Sequence, residues 1–463
     1  MTREHIIAIP DRRLWPVLAV VALLGLALRI AAAQGDYWLD EAWSAVFARD
    51  AGTPGRIFFA INHDNNHYLN TLWLQLVGWG GPPILGRALS IVCGTAGVVA
   101  AGLIGARRNI RTACVTALLF AVAPIMVTYG SEARGYAPML LALLTAIWIV
   151  DREIHGVPVR HAPLWLGVVT LLGMLAHVSL LFGIAALTGW IAVEAKRRMA
   201  WRPAAIATLR VMGRAMVALT AVLALVLIGA LASPEGFHIG SLAGFSYAAF
   251  VDALAYMVAF TLGWPFAVPL GLAAVLLLPI ATVWIPALHD RLPLYLLAIL
   301  GLPLAVALLH PDNSAFPRYY LLSATTLLLL VAELLAVPRW FAMLPLYLIL
   351  AASVVVDLTI IDNQRGAPGS AIATMKAISP GGAAALLGNS RDSAVLEAAA
   401  SAHGYKLHIG ASCAEAGFLF AEANPSARFP AAMVRCGAPF RPVVAGQTDG
   451  LSGMDWQLYE RIR

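Results

Sequence analysis

Charged side chains are what this sequence has least of. Asp, Glu, Lys and Arg make up 12% of its 463 residues, against 60% hydrophobic residues and a mean hydropathy of +0.79. A water-soluble domain carries about 25% charged residues, so a soluble globule of this composition could not cover its own surface. The net charge of +6 comes without a pooled basic patch, because the basic residues lie in short segments between apolar runs. No nucleic-acid partner is expected; positive-inside asymmetry of a membrane protein accounts for the pattern. Cysteine is scarce too, with four residues, of which Cys93 and Cys114 fall inside apolar runs as small buried hydrophobes. An internal repeat and mid-span charges, the marks of many transporters, are largely missing.

What the chain does have is a series of apolar runs near the 20 residues that cross a hydrocarbon core. The first is Leu14–Ala33, preceded by Arg12-Arg13. Its Ala31-Ala32-Ala33 end resembles a signal-peptidase site, but the length of the run and Arg29 favour an uncleaved anchor. Further spans are expected at Ile84–Ala106, Thr112–Tyr129, Pro138–Val150, Leu164–His177, Val178–Val193, Val211–Ala232, Pro265–Leu288, Leu292–Leu309, Tyr319–Val337 and Trp340–Asp357. That gives about 11 transmembrane helices, with the N-terminus cytoplasmic. Arg107, Arg108, Arg291, Arg339 and the cluster Lys196, Arg197, Arg198, Arg202, Arg210 and Arg214 then fall inside, as the charge rule requires. Residues 34–83 and 233–264 become external loops, and parity makes Tyr247–Leu262 an interfacial helix.

After residue 362 the character changes to Gly, Ser, Asp and Asn with no membrane-length run. Residues 363–463 therefore read as a small C-terminal extracytoplasmic α/β domain, with a strand at Ala383–Gly388, a helix at Arg391–His403 and a strand at Tyr405–Ile409. In an oxidising compartment Cys413 and Cys436 are placed to form a disulfide; two buried free thiols are the alternative.

Three external segments hold most of the unexplained polarity. The first carries Asp40 and Glu41 among Tyr37, Trp38 and Trp43, aromatics suited to the headgroup layer. Adjacent residues on a helix point about 100° apart, so the two acids should have different tasks; an acidic helix start favoured by the macrodipole is the plainer reading. The second segment, His63 to Asn70, spaces His63 and His67 four apart and adds Asp64. These three could hold a divalent metal, or they could be an Asx cap feeding a juxtamembrane helix. The third set, Arg134 beside Glu132 and Tyr136, and Arg318 before Tyr319, puts cations at outer span ends. Each needs a partner there: a structural carboxylate, or the phosphate that a guanidinium fork fits. A cation for a lipid phosphate and a carboxylate for the acceptor's proton at one face suit glycosyl transfer with inversion.

These motifs, in this order, resemble the GT-C membrane glycosyltransferases related to protein O-mannosyltransferases and the lipid A aminoarabinose transferase. The likeness covers roughly residues 14–358 and rests on Asp40-Glu41, the Asp64-Asn65-Asn66-His67-Tyr68 segment, Ser131 to Tyr136 and Pro317-Arg318-Tyr319. It implies an all-α polytopic fold of GT-C type and a hexosyl- or pentosyltransferase that uses a polyprenyl-phosphate-linked sugar. It implies Asp40 as catalytic base supported by Glu41, and Arg318, Arg134 and Tyr319 at the donor phosphate. His63, Asp64, His67, Glu132 and Tyr136 would shape the pocket. The acceptor would be a lipid, glycan or protein, and the site a bacterial inner membrane with membrane lipids around it. Where many bacterial relatives carry His-Pro-Pro, this chain has Asn66-His67-Tyr68-Leu69. A transporter or flippase of anionic substrates is the rival reading.

Overall fold

Leu- and Ala-rich runs punctuated by proline and glycine set the helical part of the molecule. The computed structural model describes residues 12–233, 236–240, 243–263, 268–336, 340–423 and 428–462. In chain order the helices are α1 Leu14–Ala32, α2 Leu39–Ala51, α3 Arg56–Phe59, α4 Tyr68–Val77, α5 Pro83–Ala106, α6 Ile110–Val122, α7 Pro124–Tyr129, α8 Tyr136–Ile154, α9 Ala162–Ala176, α10 Leu180–Arg198 and α11 Trp201–Ala232. They continue with α12 Tyr247–Leu262, α13 Val268–Ala281, α14 Leu292–Tyr295, α15 Leu302–Leu309, α16 Leu321–Leu335, α17 Trp340–Asn363, α18 Gly369–Ile378 and α19 Ser393–Ala402. Proline opens α5, α7 and α9, where the missing N–H is an orphan in any case. Among the described residues six helical stretches are long and apolar enough to cross a membrane. They mark a multi-pass membrane protein. The sequence-derived boundaries at Pro265 and Val337, and Arg339, lie outside the described residues.

Two expected elements, a span and the interfacial helix, differ in form. Thr112–Tyr129 is not one helix, because Pro124 has no N–H for the Phe120 carbonyl and holds Ala123 extended at ψ 123°. Arg29 of α1, fully buried, repairs the break. It donates to the carbonyls of Phe120 (3.1 Å), Ala121 (3.3 Å) and Met126 (3.3 Å). Nor does α12 lie along the surface as an interfacial helix: Phe250, Leu254, Met257 and Val258 pack into the bundle against α7, α16 and α17. Gly263, at its C-terminal end, abuts Ser353, well inside α17.

The bundle separates two charged layers. α5, about 36 Å long at 1.5 Å per residue, carries Arg87 near its start and is followed by Arg107 and Arg108. Around those last two, Asp151 and Glu333 hold the buried Arg291, Arg107 pairs with Asp151, and Arg108 with Asp290 at 2.6 Å. Arg87 belongs to the opposite layer, with the candidate site.

Beyond α17 the chain builds one mixed sheet in the order β2-β1-β3-β6-β5-β4: β1 Ala383–Leu387, β2 Leu407–Ile409, β3 Phe418–Ala423, β4 Met433–Arg435, β5 Ala438–Gly446 and β6 Asp455–Arg461. β2, β1 and β3 run parallel, and α19 crosses between β1 and β2, so the elements expected from 383 to 409 are present. This layer does not float free of the helices. α19 packs on α2, Asp36 meets His403 at 3.2 Å, and Tyr37, Trp38 and Ala42 share a core with Ile372, Val395 and Trp456. Cys413 and Cys436 are disulfide-bonded, with Cα atoms 5.8 Å apart and a sequence separation of 23. Closing such a loop restrains the unfolded chain by about 3 kcal/mol. Cys413→Ser/Cys436→Ser is therefore expected to lower the unfolding midpoint of the sheet domain, as tryptophan fluorescence during thermal unfolding would report. An unchanged midpoint would mean the bridge does not restrain it.

Candidate active site

The first turn of α2 divides its two carboxylates between two environments. Trp38 is the N-cap, and Glu41, three residues on, reaches back to the Trp38 amide at 3.4 Å in a capping box. Glu41 is fully buried. Its oxygens also accept from Arg87 (2.8 and 2.6 Å) and from the Ala133 amide (2.7 Å). Burial raises the Glu41 pKa, but the Arg87 charge and hydrogen bonds outweigh it and hold the carboxyl below its usual range. All its bonding is internal: Glu41 ties α2 to α5 and to the Ser131–Gly135 turn.

Asp40, one residue earlier, points elsewhere. Its side chain keeps 18% exposure and its Oδ2 accepts from Arg134 at 2.6 Å and from Arg318 at 3.1 Å. Three segments far apart in sequence thus meet on one oxygen. Oδ1 makes no hydrogen bond to a described residue. Arg134 is nearly buried and also donates to Asn65 Oδ1 at 2.5 Å, while its Nε has no hydrogen-bond partner among the described residues. Asn65 in turn donates to the Asp40 carbonyl at 2.8 Å. Arg134 lies over the Tyr136 ring at 5.0 Å, and Arg318 over Phe316 at 4.4 Å and Tyr319 at 5.8 Å. Tyr319 is half-buried and edges a narrow crevice of about 10 Å³ with Met139, Ser179 and Leu302.

The histidines do not converge. His67 is the N-cap of α4 rather than a helical residue, so the four-residue spacing does not put the two rings on one face. His67 Nδ1 accepts from the Gly135 amide at 2.7 Å, and its ring sits between Tyr136 and His177. Burial, then the charge of His177, Arg134 and Arg318, holds His67 well below the usual imidazole value. The Gly135 bond makes His67 Nδ1 an acceptor, so the neutral ring carries its proton on Nε2. His63 instead pairs with Asp64 at 2.8 Å, stacks on Trp43 and bridges to His238 in the 233–264 loop. The expected His63, Asp64 and His67 metal set is therefore not assembled. Among the described residues the group that could converge on an ion is Asp151, His155 and Asp290, in the opposite charged layer and already engaged by three arginines.

Glu132 and Tyr136 are both buried beside the Asp40 cluster. Glu132 is fully buried, 3.7 Å from Arg365 rather than paired with Arg134. Burial pushes its carboxyl above the usual range. Tyr136 is packed in an aromatic cluster with Tyr129, His67 and His177. Four contributors were not singled out from sequence. Arg87 also gathers the carbonyls of Ala33, Gln34, Gly35 and Asp36 at 2.7–3.2 Å. Arg365 gathers Ala32, Thr128 and Ser131. Asn65 and His177 complete the set. An arginine at the start of an apolar span needs a partner, which is the signal that marks Arg87; Arg365 has no such signal.

No family model and no curated protein matches the chain. Among solved structures it is similar to the archaeal oligosaccharyltransferase AglB from Archaeoglobus fulgidus in complex with an inhibitory peptide and a dolichol-phosphate. The identity is 13% and the TM-score 0.49, over 89% of this chain and 69% of that one. It is similar also to the Archaeoglobus fulgidus oligosaccharyltransferase tethered with an acceptor peptide containing the NVT sequon, at 13% identity and TM-score 0.49, over 88% of this chain and 65% of that one. For the same enzyme in complex with Zn and sulfate the figures are 12%, 0.45, 88% and 68%.

Proposed function

We propose that this protein is an inverting glycosyltransferase, moving a sugar from a polyprenyl-phosphate donor to a lipid, glycan or protein acceptor at the external face of a bacterial inner membrane. The observation that carries the reading is Asp40 held between Arg134 and Arg318. Two guanidiniums on one carboxylate leave a net charge of +1 (2 − 1), in a region with little solvent to screen it. Such a site suits an anion, and donors not engaged by Asp40, among them Arg134 Nε, remain for phosphate oxygens. A phosphate that draws the arginines toward itself relieves Asp40 of part of its pairing and makes it a stronger base.

The chemistry then follows from the positions. The acceptor's lone pair attacks the anomeric carbon, and its proton passes to Asp40. The anomeric C–O bond to phosphate breaks with its electron pair, and polyprenyl phosphate leaves, its added charge answered by Arg318 and Arg134. A single displacement inverts the anomeric centre, and phosphate needs no acid to leave. Tyr319 offers a hydroxyl donor beside Arg318. In this reading His63 and Asp64 help shape the acceptor pocket, and residues 363–463 form an external domain against α2.

Arg318→Ala is expected to weaken binding of a polyprenyl-phosphate sugar by about 10- to 100-fold, the loss of one charge-assisted contact worth roughly 1.5–3 kcal/mol. Arg318→Lys restores the charge without the fork and should recover only part. Binding of a fluorescent donor to the detergent-purified protein measures both, and an unaltered affinity in Arg318→Ala would remove Arg318 from the phosphate site. Movement of the intact lipid-linked sugar across vesicles without transfer would favour the transporter instead.

A further inference from the structure

The turn between α10 and α11 gathers charge of one sign around an apolar hollow. From Glu194 to Arg202 the chain carries four cations, Lys196, Arg197, Arg198 and Arg202, against one carboxylate, a net of +3 (4 − 1). Two of the four are occupied. Arg197 pairs with Glu194 and donates to the His289 carbonyl at 3.2 Å; Arg198 donates to the Ile154 carbonyl at 2.9 Å. Lys196 is exposed and has no hydrogen-bond or ion-pair partner among the described residues, and Arg202 stacks on Trp201 at 5.3 Å with no counter-ion.

Beside these groups α10 and α11 leave a hollow of about 490 Å³ between Ala192, Val193, Ala204 and Ala205, rimmed by Lys196, Arg197 and Trp201. Trp201 is 64% exposed, and Ile206 and Leu209 continue an exposed apolar face along α11. A basic turn that served only to orient the chain in the bilayer would not need the apolar hollow beside it. We propose that this hollow is a binding site for an anionic phospholipid, its phosphate between Lys196 and Arg202 and its first acyl carbons against Val193 and Ala205. Basic pockets between membrane helices take anionic headgroups because the charge is met and the chain stays in an apolar groove. Tryptophan prefers the same headgroup depth. The site requires only that α10 and α11 span a bilayer and is independent of the chemistry at Asp40.

The full-length protein, reconstituted in vesicles of equal phosphatidylglycerol and phosphatidylcholine and released into the gas phase, reports its retained lipids by native mass spectrometry. Wild type should retain phosphatidylglycerol with a roughly tenfold preference, falling to about twofold in Lys196→Gln/Arg202→Gln. Ala205→Leu, which fills the hollow without altering charge, should lower retention of both lipids. Lys376→Gln/Arg441→Gln removes the same charge from the sheet domain and should leave the preference intact. The proposal is overturned if the Lys196/Arg202 variant keeps the wild-type preference, if the sheet-domain variant loses it equally, or if Ala205→Leu retains lipid as wild type does.

Discussion

Asp40→Asn should abolish most sugar transfer, by about 10²- to 10⁴-fold in kcat, the range a positioned general base contributes. Asparagine has the size of aspartate and can still accept one hydrogen bond, so the contact with Arg134 or Arg318 survives in part. What it lacks is the negative charge and the capacity to take the acceptor's proton. Removing that charge turns a site of net +1 into one of +2, so the donor phosphate should bind at least as tightly as before. A fall in kcat with an unchanged or lower donor KM is therefore the signature of the base. A merely structural role would raise KM or empty the membrane of folded protein. Initial rates with a polyprenyl-phosphate sugar in proteoliposomes decide it; a variant within tenfold of wild type would take Asp40 out of the mechanism.

Arg87→Ala should be the most destabilising single change near the site. It leaves the Glu41 carboxylate buried with only its two backbone amide contacts and strips the donor from four consecutive carbonyls, Ala33 to Asp36. Breaking one side of a buried ion pair costs about 3–5 kcal/mol. By contrast the more exposed Arg49–Glu397 pair is of the kind worth at most about 1 kcal/mol. The unfolding midpoint of Arg87→Ala should drop by roughly 10 °C, and Arg49→Ala by little. Arg87→Met combined with Glu41→Gln should regain part of the loss, since the unpaired charge is then gone. The pH dependence has a definite sign. Glu41 is held below its ordinary value of 4.5, so its stabilising contribution is present above that pH and disappears as the pH falls through the lower folded-state value. If Arg87→Ala unfolds within a degree or two of wild type, Glu41 and Arg87 are not the clasp described here.

The sequence carried the helical character, the polar C-terminal segment and the polar clusters because these depend on composition and spacing along the chain. It placed Asp40, Arg134 and Arg318 among the residues to watch, since charge near a span end demands a reason. It misread the His63 and His67 spacing, which supposed a helix that begins only at Tyr68. It also took Thr112–Tyr129 as unbroken, because the repair of the Pro124 break comes from Arg29, some 90 residues away.

Composition by itself determined that this chain lives in a membrane and keeps most of its charge near the ends of its helices, since the cost of burying charge in hydrocarbon acts on each residue alone. Which arginines each acid meets was decided by the tertiary structure. Asp40 and Glu41 are neighbours with the same kind of charge, and nothing local separates them. One turns toward Arg134 and Arg318 and stays partly open, while the other turns toward Arg87 and is sealed. Those partners lie tens to hundreds of residues away, so only the packing of α2 against α5, the Ser131–Gly135 turn and the start of α16 could give the two acids different surroundings.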